Sequence, residues 1–400
     1  MKNLQTLYRF ELKKIFARKI VWITVGIMLI LTGFTVYSQL IGSYIVNGTK
    51  IPKSLAFQKI KAQEQALTGR SIDQLLLEET WATYRITSPY AHYRGIAEHY
   101  LDAFPYSAIY NFVRTAMDMT SDAAIHWEPD EAELYCKRQD MLEHHWSSFY
   151  LYEGEKEYWR RQELSVEKPF KYAYKEGWWT LLYDLELIGL MTLLTITICL
   201  SNVFTVEQTR KTDQLIFCSR YGKGTLYLAK MLVGISFAVG ISLLYTIAAV
   251  LLVLVVYGGD GFFAAFQLID SNYSAPISVG HAVLIGYGLL LVAALLTGVF
   301  VMVLSEILKN GIGTLATISG IIIWAMFVSI PYHYRVLSQI WNYLPSIFIS
   351  RSGIFDCRLI PFFGTYLTNI QFVPFLYIVI AGILSVVGYK IYQKYQVGAR

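Results

Sequence analysis

VEQTRKTDQLIFCSRYGKGTLYLAK, residues 206–230, is a long polar run between two apolar stretches that can each cross a hydrocarbon core. It carries Arg210, Lys211, Arg220, Lys223 and Lys230 against two acids, Glu207 and Asp213. Short loops rich in Lys and Arg stay on the cytoplasmic side of a membrane, so this run sets the direction of the spans around it. Within it, Thr212, Leu215 and Ile216, with Phe204 and Phe217 nearby, fit a short amphipathic helix. Two readings are open: a basic loop that only orients the spans, or a handle gripped by a separate ATP-driven protein. On physical grounds alone the first is the simpler.

Composition sets the class. Of 400 residues, 55% are hydrophobic and only 16% charged, where a soluble domain carries charge on about a quarter. The net charge of +5 reads as membrane orientation. No dense Lys/Arg run interleaved with aromatics speaks for nucleic acid. Four cysteines, Cys136, Cys199, Cys218 and Cys357, lack zinc spacing. The apolar run that starts near Ile20 is too long for a cleaved signal and is expected to remain as a span.

Residues 1–19 read as a basic amphipathic helix on the inner membrane surface. Leu4, Leu7, Tyr8, Leu12, Ile15 and Phe16 share one face, and Lys2, Arg9, Lys13, Lys14 and Lys19 fall largely elsewhere. Spans are expected at 20–44, 181–204, 231–257, 280–304, 311–330 and 372–389. The 45–180 insert shows helical spacing over 54–85, 91–104 and 130–163, with Pro129, Asp130 and Glu131 as a helix start. It is long enough to bury a core of its own. Pro331, Pro345 and Pro361 break an aromatic stretch, 331–371, into short re-entrant or interfacial pieces. The N-terminal segment, the 205–230 loop, the 305–310 turn and the 390–400 tail hold fifteen Lys/Arg, against three in the two short loops opposite, 258–279 and 331–371. The expectation is an all-α polytopic membrane protein with six transmembrane helices, both termini cytoplasmic, and a mostly helical extracytoplasmic domain between spans 1 and 2.

The chemistry the chain lacks is informative. No span carries an ionisable residue near its middle, where proton- or sodium-coupled carriers place them. Gly222, Lys223, Gly224 and Thr225 look like the end of a P-loop, but the earlier glycine is missing and no buried strand precedes them. Glu143, His144 and His145 could bind metal or sense pH; surface helix residues are the plainer account. His92, His99 and His126 fall in the same insert, and HExxH is absent. Asp184 and Glu186 could pair as carboxylates, or anchor span 2 at the interface. Asn47-Gly48-Thr49 and Asn272-Tyr273-Ser274 match a glycosylation pattern too short to weigh.

The layout resembles the ABC-2 family of ABC-transporter permeases. The features that carry the likeness are the basic start ending in Arg18 and Lys19 and the order Phe204, Glu207, Thr212, Leu215, Ile216 and Lys230 after span 2. The broken aromatic segment before span 6 adds to it. Lys211 stands where that family often has Gly. The likeness covers the six spans, roughly 260 residues, and leaves the insert out. It implies a bacterial plasma-membrane subunit that pairs with a second permease subunit and with a cytoplasmic ABC ATPase. ATP and Mg would be bound by that ATPase; this chain would bind no cofactor or metal and catalyse nothing itself. It further implies that Glu207, Thr212, Asp213, Leu215, Ile216 and Ser219 couple to the ATPase, with Leu4, Tyr8, Leu12 and Phe16 as a membrane or partner contact. The cargo would be a peptide, lipid or amphipathic small molecule, exported. Two other readings stay open: a sensor or immunity protein that signals without transport, and a membrane enzyme acting on lipid or cell-wall precursors through His144, His145, Asp184 or Glu186.

Overall fold

A computed structural model describes residues 2–46, 49–86, 103–209, 212, 218, 222 and 224–394. The fold is mostly helical, and five helices are long and apolar enough to cross a membrane. A short helix α1 (Lys2–Phe16) leads into α2 (Lys19–Ser38); the other four long helices are α9 (Glu176–Leu200), α11 (Thr225–Val256), α12 (Val279–Leu308) and α17 (Asn369–Lys394). An apolar sixth, α13 (Gly311–Phe327), is shorter at 17 residues. These helices point to a membrane protein.

Helices α9 and α12 form the buried centre, and α11 and α17 have most of their surface outward. Close approach explains the contact between α11 and α12. A Cβ on Gly234 would meet Met302 Sδ at 2.1 Å, and one on Gly298 would meet Ala238 Cβ at 2.9 Å. Small residues let the two backbones come together where larger ones would hold them apart. The direction of successive helices alternates. Tyr257, at the end of α11, donates its hydroxyl to Val36 near the end of α2, and Arg18, before α2, reaches the end of α9. The bundle therefore has a hairpin end, where α9 stops and α11 begins, and an insert end.

At the insert end, α2 stops at Ser38 rather than running to residue 44. Gly42 takes φ +110° there, and an antiparallel ribbon of β1 (Ser43–Val46) and β2 (Thr49–Pro52) follows. Then come α3 (Lys53–Leu67), α4 (Gln74–Ile86), α5 (Ser107–Ala116), α6 (Ser121–His126), α7 (Glu131–Ser148) and α8 (Glu153–Leu164). The helical pattern over 54–85 is broken into two helices at Gly69, φ +91°, and that over 130–163 at Tyr150, φ 56°. Most of the expected 91–104 helix, along with His92 and His99, lies outside the described residues. Helix α7 starts with Asp130 as its N-cap, accepting from Glu133 N at 3.1 Å. The insert has its own core, in which Trp81, Tyr110 and Trp127 pack together and Trp81 Nε1 donates to Ala124 O at 2.7 Å.

The segment before α17 folds as α14 (Arg335–Asn342), α15 (Pro345–Phe348), α16 (Arg351–Ile354) and an antiparallel hairpin of β3 (Ile360–Phe362) and β4 (Thr365–Leu367). A buried ion network fastens it to the insert. Arg358 pairs with Asp356 and donates to Ser338 Oγ at 2.7 Å. Glu155 of α8 pairs with Arg335 and accepts from Leu359 N at 2.7 Å.

Insert and bundle meet around Glu64 of α3. Its carboxyl is buried near Glu176 and Lys175. Lys61, Gln65 and Asp260 sit at the same junction, Gln65 donating to Asp260 at 2.8 Å. Burial, with the Glu176 charge added, pushes the Glu64 carboxyl from its ordinary 4.5 up to about 8, against the pull of Lys175. The folded protein thus keeps a proton that the unfolded chain gives up. Glu64 contributes its full stability below about 4.5 and loses it as pH rises through about 8. Thermal midpoints of the wild type are expected to fall across that window. Glu64→Gln, neutral throughout, is expected to flatten that part of the profile, and an unchanged slope would show that Glu64 is not the group responsible.

Candidate functional site

The charged residues at the hairpin end close into a ring. Tyr8, Leu12 and Ile15 turn one side of α1 onto the bundle, and Glu11 lies on that same side at helical spacing from them. Its carboxylate meets Lys14 Nζ at 2.6 Å through one oxygen and Lys230 Nζ at 3.7 Å through the other. Glu207, on the short helix α10 (Thr205–Thr209), lies 3.0 Å from both Lys14 and Lys230. Two carboxylates and two ammoniums therefore alternate, so each buried charge has opposite charge on two sides. The Lys230 side chain is 1% exposed and that of Lys14 40% exposed, which makes Lys14 the member that faces out.

The ring is anchored to the end of α9. Carbonyls at a helix C-terminus have no partner within the helix and carry partial negative charge. Here three of them, at or just past that end, accept from three different elements: Cys199 O from Arg18 at 2.9 Å, Ser201 O from Ser305 at 2.6 Å, and Val203 O from Lys230 at 2.8 Å. Lys230 Nζ also sits 5.1 Å from the centre of the Phe204 ring. Thr212 folds back to donate its backbone N–H to Glu207 O at 2.9 Å. A cavity of about 430 Å³ opens beside the ring, lined by Glu11, Lys14, Arg18, Asn202, Val206 and Glu207 among others.

Helix α12 adds a third carboxylate. It runs to Leu308 rather than giving way to a turn at Ser305, so Glu306 is helical and buried, close enough to Lys230 and Glu207 for their charges to act on it. The turn that follows is two residues long: Lys309 in the left-handed conformation, then Asn310, whose side chain caps α13 through Ile312 N and Gly313 N, both at 3.1 Å. Gly311 is needed there, since a Cβ would fall 1.6 Å from Asn202 Oδ1.

The ring joins residues the sequence named separately. Glu207, expected to reach a partner, is buried against its own chain, and Thr212, beside it, is exposed. Asp213, Leu215, Ile216 and Ser219 lie outside the described residues. Of the α1 residues expected at a membrane or partner, Tyr8 and Leu12 pack on the bundle and Leu4 is half-buried. Phe16 faces outward with its ring near Trp22 and Phe237. Comparison with family models, with curated proteins and with solved structures finds no match.

Glu11, Arg18 and Glu306 were missed as members of one site. A signal was there for two of them: Glu11 is an acid on the apolar stripe of α1, and Glu306 an acid within helical reach of a long apolar run. The other candidates do not assemble. Asp184 turns into the bundle and Glu186 outward, so they form no carboxylate pair. His144 is exposed, and the His145 ring lies 4.6 Å from that of Phe149, tilted by 45°. Among the described residues no His, Cys, Asp or Glu cluster has the makings of a metal site. All four cysteines are free.

Proposed function

We propose that this chain is the membrane-spanning permease subunit of an ATP-driven ABC transporter of the ABC-2 type, with α13 as a sixth span and both termini cytoplasmic. A separate ATPase subunit would bind ATP and Mg and grip the 205–230 hairpin. A second permease subunit would complete the transport path, and the cargo would be a peptide, lipid or amphipathic small molecule moved outward.

The observation that carries this reading is the charge ring. A pull on the hairpin reaches α10 first. Glu207 passes it to α1 through Lys14 and to α11 through Lys230, and Lys230 holds Val203 O at the end of α9. One short segment thus has a stiff electrostatic connection to three helices, as a lever driven from outside the membrane needs. Charged groups at such depth are costly unless mutually satisfied, so the ring favours one fixed geometry over several loose ones.

The test is copurification. A tagged wild-type chain is expected to bring down an ATPase subunit from membranes of its native host. Simultaneous change of Asp213, Leu215 and Ile216 to alanine is expected to reduce that recovery at least tenfold, equivalent to about 1.4 kcal/mol of binding. Undiminished recovery would count against the hairpin as the grip. Labelling of Lys223 from outside intact cells would reverse the orientation and end the proposal.

A further inference from the structure

Helix α14 is amphipathic in the wrong sense for a protein surrounded by water. Val336, Leu337 and Ile340 are 70%, 56% and 61% exposed. Ser338, on the opposite side, is buried and accepts from the Arg358 guanidinium. Arg335 also turns inward, donating to Tyr150 O at 2.9 Å and pairing with Glu155. The polar side of the helix is thus satisfied by buried ions and the apolar side is left outward. Single exposed apolar residues need no explanation, but three on one face of a two-turn helix do.

The neighbouring element indicates what covers that face. Trp341 of α14 donates Nε1 to Val328 O at 2.8 Å, just past the end of α13, and its ring meets Trp324 edge-on at 5.2 Å. Trp324 and Phe327 of α13 are themselves exposed, so the outer face of α14 continues that of an apolar helix. Helix α13, with 17 residues, is about 26 Å long at 1.5 Å per residue. A hydrocarbon core is about 30 Å thick. The helix is a few ångströms shorter than that core, and α14 meets its Val328 end. Tyr334, just before α14, and Trp341, in its last turn, carry the amphipathic rings that favour a membrane boundary.

We infer that α14 rests in the boundary layer between acyl chains and headgroups, with Val336, Leu337 and Ile340 against phospholipid, and supplies the apolar depth that α13 lacks. The inference rests on the membrane-spanning reading of α13. The rival occupant is a second copy of this chain.

The experiment places a nitroxide at Leu337→Cys, with a second sample labelled at Ile321→Cys, an exposed position near the middle of α13. Both use the full chain with the exposed cysteines removed, Cys136→Ser and Cys218→Ser, reconstituted in phosphatidylcholine vesicles. Expected are nitroxides that relax severalfold more with oxygen than with a water-soluble nickel chelate at both positions, with 337 the shallower, and no dipolar broadening. Nickel access at 337 with oxygen preference kept at 321 overturns the placement of α14 and leaves the membrane reading intact. Nickel access at both overturns the membrane reading and this inference with it. Dipolar broadening at 337 assigns the face to a second copy and likewise overturns it.

Discussion

Lys230→Met is expected to destabilise the protein by about 3–5 kcal/mol, the range for removing one partner of a buried ion pair. Lys230 stands in the second turn of α11 with its side chain buried, and its loss leaves the Glu207 and Glu11 carboxylates with Lys14 alone between them. The carbonyl of Val203 loses its donor at the same time. Lys14→Met removes a charge of the same sign from the same ring, but that ammonium is 40% exposed and water can take its place, so the cost is expected to be about 1 kcal/mol or less. The double variant Lys230→Met with Glu207→Leu removes a cation and an anion together and is expected to regain much of the loss, as buried pairs replaced by apolar residues commonly do. Thermal unfolding in one detergent, followed by fluorescence, gives all three values. If the Lys230 and Lys14 variants unfold together, the ring is not a desolvated unit and the proposed lever has no stiff connection.

The long helices were legible because about 20 apolar residues in a row admit few other structures, and α9, α11, α12 and α17 each announce themselves that way. Their ends were less so. Where α2 stops depends on Gly42 and on the ribbon that follows, and the early start of α9 at Glu176 depends on contacts with Gly258 and Tyr257, far along the chain. The split between α3 and α4 is a backbone event at Gly69 that a 3.6-residue period runs straight through. The site was half legible. Glu207 and Lys230 were named among the charges of the 206–230 run and by the resemblance, and α1 by its amphipathic spacing, but that Lys14 of α1 meets Glu207 is a contact across 193 residues of sequence. Periodicity reports which side of a helix is apolar; it does not report which other helix that side meets.

The second large effect is expected from Glu155→Leu, at the opposite end of the bundle. Glu155 is buried and answers to three segments at once: it accepts from Tyr152 N at 2.8 Å, closing the start of α8, accepts from Leu359 N at 2.7 Å, and pairs with Arg335 at the start of α14. An apolar replacement leaves the buried Leu359 N–H without its acceptor and the largely buried Arg335 guanidinium without its counter-charge, with only Tyr150 O still accepting from it, for about 3–5 kcal/mol. Arg160→Met is the control. It breaks pairs with Glu143 and Glu153 that are part-exposed and is expected to cost about 1 kcal/mol at most. The loss at Glu155 is also expected to be local, because Trp159 still holds Cys357 O at 2.6 Å from the same helix. Hydrogen exchange should therefore rise over 335–342 and around Leu359 before it rises in α9 or α12. Even exchange across the whole chain would mean that the insert and the 335–367 segment unfold with the bundle as one body, with no separable fastening at Glu155. If the segment does loosen alone, the same variant separates two roles of the insert. Under the proposed permease reading, transport lost with partner ATPase activity kept would make the fastening part of the moving machinery, and both kept would make it only a tether.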